Sequence, residues 1–148
     1  MSITLILIFI LSRAWGQGMI SVDEVKAAFI FHFIDFTQWQ DKEPVCYVCV
    51  PQDERLRRVS RQSLEGKVID GRKILVVDRW DHCHVLVADQ IPSMTDSVLT
   101  IGPINNGSLL EFKLIDHRLR FAVNIGKLKK TKLKISSQLL KLAILENG

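Results

Sequence analysis

Three cysteines and four histidines are the residues of this chain best suited to chemistry, and their spacing limits what they can do. Cys46 and Cys49 form a C-x-x-C, but a redox pair of that kind needs its first thiol at a helix N-terminus, where the thiolate is favoured. Val45 to Val50 instead reads as a strand, and a separation of three sends the two side chains to opposite faces. Asp81-His82-Cys83-His84 offers zinc-type donors. Neighbouring residues of an extended segment also point to opposite sides, so at most two converge, and the segment reads as a polar loop entering a strand. His32 falls in a helix and His117 in a hairpin turn, and there is no Gly-x-Ser-x-Gly, phosphate loop or HExxH. No catalytic residue, cofactor site or metal site is expected.

Where such residues end up depends first on compartment. Ile3 to Leu11 is an almost unbroken apolar run followed by Ala14-Trp15-Gly16, which reads as a signal peptide over residues 1–16 with cleavage near Gly16. The run is too short to anchor the chain, since a bilayer core of about 30 Å takes about 20 residues. Residues 17–148 then form one domain large enough to bury a core without staples. The formal charge of +4 is spread among interleaved acids, which is a solvated surface and not a nucleic-acid footprint. The lysines at 127, 129, 130, 132 and 134 are read in the same way.

The elements that must position these residues follow from pattern. Ser21-Val22-Asp23-Glu24 is a capping box opening a helix to about Phe36. Val25, Ala28, Phe29, His32, Phe33 and Phe36 fall on one face of it, and Ile30, Phe31 and Ile34 make it apolar nearly all round. Phe29, Phe33 and Trp39 are the expected core residues, leaving Ile30, Phe31 and Ile34 as interface candidates. Asp53 caps a second helix through Leu64, with Gly66 just past its end. Lys73 to Val77, His84 to Ala88 and Val98 to Ile101 are short apolar runs suited to strands buried on both faces of a partly parallel sheet. Only Gln90 to Ser97 separates the last two, which is short for a parallel crossover. Leu109 to Ile115 and Leu119 to Asn124 flank a turn at Asp116-His117-Arg118, and a final helix is expected from Ser136 or Ser137 through Leu145. The expected fold is a three-layer α/β/α sandwich whose mixed sheet ends in an antiparallel hairpin.

Lys26-Ala27-Ala28-Phe29, the aromatic run to Phe36 and Thr37-Gln38-Trp39 resemble the opening helix of the YfiR family. Leu64-Glu65-Gly66-Lys67, Cys83 to Val87, Val98 to Ile101, Leu119-Arg120-Phe121 with Asn124, and Leu133 to Leu140 with Ser136 and Ser137 follow in the family's order. The resemblance implies an exported, non-enzymatic regulator that dimerises and holds the periplasmic sensory domain of an inner-membrane diguanylate cyclase, or a sensor kinase, inactive. A periplasmic small-ligand carrier, with its pocket at the strand ends, is the alternative, and a metal-dependent enzyme comes third. The chain departs from the family in lacking most of a helix between Asp89 and Val98 and in being short around Ile104 to Ser108. Neighbouring strands bring Cys83 within disulfide reach of the Val45 to Val50 strand, where parallel geometry alone favours Cys46 as partner. The family's paired positions correspond to Cys49 and Cys83.

Overall fold

The computed structural model describes residues 20–93 and 95–147, so the proposed signal peptide lies outside the described residues. Helix α1 (Val22–Asp35) starts at the capping box, with Glu24 N–H donating to Ser21 Oγ and Ser21 N–H to Glu24 Oε1. Then come β1 (Thr37–Gln38), β2 (Val45–Cys49), α2 (Glu54–Leu64, capped by Asp53), β3 (Val68–Ile69) and β4 (Arg72–Val77). The chain continues through β5 (Val85–Val87), β6 (Leu99–Ile101), a 3-10 turn (Ile104–Asn106), β7 (Leu110–Ile115) and β8 (Arg118–Asn124). It closes with α3 (Ile125–Lys130), β9 (Lys134–Ile135), α4 (Ser137–Leu140) and β10 (Ile144–Glu146).

Eight strands form one sheet in the order β10-β8-β7-β6-β5-β2-β4-β3, and β1 pairs separately with β9. The pairings β2/β4, β2/β5, β5/β6, β6/β7 and β8/β10 are parallel, whereas β3/β4 and β7/β8 are antiparallel. The α/β class and the mixed sheet are as expected. The β7–β8 turn is tight because Asp116 and His117 both take positive φ, the backbone twist that matches two strands joined by two residues.

Several local expectations are corrected. The last helix stops at Leu140, and Ile144–Glu146 becomes a strand parallel to β8 that extends the sheet by one strand beyond the β7–β8 hairpin. The outer edge of β8 would otherwise offer unpaired backbone groups, and β10 pairs with them over Ile144–Glu146. The basic stretch after Asn124 holds α3 and β9, with Asn124 Oδ1 accepting from Lys127 N–H as the cap. β5 and β6 do pair in parallel across the short Gln90 to Ser97 link, and the described residues of that link form no crossover helix.

The two faces of the sheet are covered unequally. Cys46 and Val48 of β2 point into the larger apolar cluster, to which α1, α2, α3 and α4 all contribute, through Ile30, Leu56, Leu128 and Leu139 among others. The smaller cluster, on the opposite face of β2, joins Cys49, Leu86 and Ala88 to Tyr47, Val77, Cys83, Ile91 and Val98. No helix among the described residues contributes a side chain to it.

In α1 the buried stripe is Ala27, Ile30, Phe33 and Ile34, while Ala28 and His32 are exposed. Phe33 meets Phe121 edge-on at 5.0 Å between ring centres, and Phe29 packs half-buried against Phe33, Phe112 and Phe121. Ile30 and Ile34 are therefore core residues, which corrects their assignment to an interface. The helix packs on both α2 and the sheet, and two neighbours need a wider apolar stripe than one. Of the three candidates only Phe31 reaches the surface, with the Lys67 ammonium 5.2 Å from its ring centre.

Candidate functional site

A polar cluster lies where the chain enters β2 and β5. Trp39 follows β1 and is buried, its Nε1–H donating to the His84 carbonyl at 3.0 Å. That bond ties the segment after α1 to the loop before β5. Asp41 and Glu43, two apart in the next stretch, point toward His82 and His84, two apart in the other loop. His84 is 4% exposed and uses both ring nitrogens. Nδ1 accepts from Tyr47 N–H at 3.1 Å, so the proton sits on Nε2, which lies 3.0 Å from Asp41 Oδ2 and 3.5 Å from Glu43 Oε2. Arg72 donates to Asp41 from Nη1 at 3.0 Å and to the Asp41 carbonyl, with its guanidinium over the Trp39 ring. His82 Nε2 lies 2.8 Å from Glu43 Oε1.

Asp41, Glu43 and His84 have ligand atoms within 4.8 Å of one another, the spacing of a metal set. The donor chemistry does not fit a cation. With Nδ1 held by a backbone N–H, Nε2 keeps its hydrogen and has no lone pair to give a metal. The cluster is a hydrogen-bonded clasp between two loops. Burial raises the Asp41 pKa, but the His84 hydrogen bond, the Glu43 N–H and Arg72 outweigh it and hold the carboxyl down at about 2. A carboxylate with a lowered pKa stabilises the fold above its ordinary value of 3.8, and that contribution disappears as pH falls toward 2. Asp41→Asn is expected to lower Tm modestly at pH 6 and to flatten the fall in Tm between pH 4 and pH 2. An equally steep acid limb in the variant would show that other carboxylates carry it.

Beside the clasp, Cys49 and Cys83 are joined by a disulfide, with a Cα–Cα distance of 5.9 Å. Cys46 is buried on the opposite face of β2, and burial pushes its thiol up to about 12, which keeps it protonated and unreactive. The C-x-x-C is thus one structural cysteine and one core thiol. Among the resemblance residues, Asn124 caps α3 and donates from Nδ2 to the Ser108 carbonyl, Ser136 caps α4 through Gln138 N–H, and Ser137 is the first residue of α4. Lys127 donates to Thr95 Oγ1, and Lys129, Lys130, Lys132 and Lys134 are exposed. His32 and His117 are both exposed, on α1 and in the β7–β8 turn. A cleft of about 430 Å³ opens at the C-terminal ends of β2, β5 and β6, lined in part by Gln52, Asp89, Gly102 and Phe112, where a carrier would hold its ligand.

Sequence reasoning passed over Asp41, Glu43, Arg72 and Tyr47. The available signal was the shared spacing of two in Asp41-x-Glu43 and His82-x-His84, which sets each pair on one side of an extended chain.

No helix among the described residues is long and apolar enough to cross a membrane. No curated protein matches the chain at a significant level. The family model described as YfiR/HmsC-like matches residues 23–144, from the first turn of α1 to the start of β10, and the chain belongs to that family.

Proposed function

We propose that this protein is a non-enzymatic periplasmic regulator that binds and represses the sensory domain of an inner-membrane diguanylate cyclase or sensor kinase. Family membership over residues 23–144 carries this reading, since it suggests a regulator of cyclic di-GMP signalling working with a membrane-bound partner. The polar chemistry of the chain is consistent with that role. The histidine and carboxylates of the clasp satisfy one another, and two of the three cysteines are spent on a crosslink. Export by a signal peptide over residues 1–16 belongs to the same proposal. So does self-association through the face of α1 that carries Phe31.

Deleting the gene and measuring cellular cyclic di-GMP is the direct test. Repression of a cyclase predicts a rise, reversed by the wild-type gene supplied in trans. An unchanged level overturns the cyclase form of the proposal, and failure of the tagged protein to recover any sensor kinase from membranes as well overturns the kinase form.

A further inference from the structure

The loop between β4 and β5 is held through Arg79, His82, Cys83 and His84. Arg79 turns back on its own loop, donating from Nε to the Asp81 carbonyl and from Nη2 to the His82 carbonyl, both at 3.0 Å. Its guanidinium carbon lies 4.3 Å from the centre of the Tyr47 ring, close enough for a cation–π contact. His82 pairs with Glu43, and Cys83 is bonded to Cys49. His82 also takes a φ of +55°, a left-handed conformation that persists in a non-glycine residue only where its surroundings hold it.

In the middle of this rigid loop Trp80 is 44% exposed. An indole costs little rotamer entropy to fix, and a loop already fixed in shape loses little more on binding. Large aromatic side chains presented in this way carry most of the energy of protein–protein contacts. On either side, Asp78 and Asp81 are exposed, and neither makes an ion pair among the described residues. Arg79 between them is turned onto Tyr47 and the loop carbonyls, and its single positive charge is outnumbered by the two carboxylates.

We propose that Trp80 is the anchor by which this protein grips its membrane-bound partner, entering an apolar pocket on the partner's exported domain that is rimmed by lysine or arginine. This inference rests on the partner-binding function proposed above. The two aspartates argue for a different protein and against a two-fold contact of this loop with itself, which would set the carboxylates against their own copies.

The test uses the full chain, tagged and expressed in its own cells, to capture the partner from detergent-solubilised membranes. The repurified partner is then titrated with wild-type protein, Trp80→Ala, Asp78→Lys with Asp81→Lys, and Leu114→Ala, whose residue is exposed but lies on the β7–β8 hairpin. Trp80→Ala is expected to bind about 30-fold more weakly with an unchanged melting temperature. The charge reversal is expected to weaken binding and to invert its sensitivity to salt, since added salt then screens a repulsion, and Leu114→Ala to bind as wild type does. Equal affinity of Trp80→Ala and wild type overturns the assignment, as does loss of self-association in Trp80→Ala with partner binding intact. If the wild-type protein itself captures no membrane protein, the proposed function falls and the anchor with it.

Discussion

Replacing Ile30 with Glu is expected to abolish folding, whereas the same change one residue later, at Phe31, leaves the fold intact. Ile30 is fully buried between α1, α2 and the sheet, so a carboxylate there has neither water nor a partner. An unpaired carboxylate in an apolar core costs more than the roughly 4–5 kcal/mol that marks the most damaging point changes, enough to cancel a total stability of about 5–15 kcal/mol. Phe31 reaches solvent beside Lys67, which lies close enough to pair with an introduced glutamate. Circular dichroism should show no cooperative melt for Ile30→Glu and a melt within a few degrees of wild type for Phe31→Glu. Size-exclusion chromatography of the second variant then reports on self-association, which should be lost. Unfolding of both variants would mean that α1 is buried all round and that any interface lies on another element.

Removing the disulfide with Cys49→Ser and Cys83→Ser together is expected to be nearly as damaging. The bond joins positions 34 residues apart, and the chain entropy of a loop of that size corresponds to about 3–4 kcal/mol. For a domain of this length the loss corresponds to a fall in Tm of roughly 10–15 °C. Cys46 cannot substitute for Cys49, because it lies on the other face of β2 among core residues. Peptide mapping without reductant should recover Cys49 linked to Cys83 and Cys46 as the free thiol. A Cys49 that is alkylated in native protein would refute the pairing, and a double variant that melts with wild type would show that the crosslink constrains nothing.

The helix starts, the turns and the strand runs were legible from the chain because each is written in a few neighbouring residues. The box at Ser21 and Glu24, the cap at Asp53, Gly66 with its φ of +86° and the hairpin around Asp116 all depend on local backbone chemistry, and each stands where the pattern puts it. The pairing of Cys49 with Cys83 was legible only through likeness to a family. Strand geometry by itself favoured Cys46, which the structure instead turns into the core. Tertiary structure alone decided three matters. Whether Ile30 or Ala28 is buried depends on where a second helix docks, which the periodicity of a uniformly apolar helix does not record. Ile144–Glu146 becomes a strand because β8 leaves an open edge far back in the sequence, and that edge outweighs local helical preference. The clasp of Trp39, Asp41, Glu43, Arg72 and His84 joins segments about 40 residues apart, and only the register of β2 between β4 and β5 brings them within hydrogen-bonding distance.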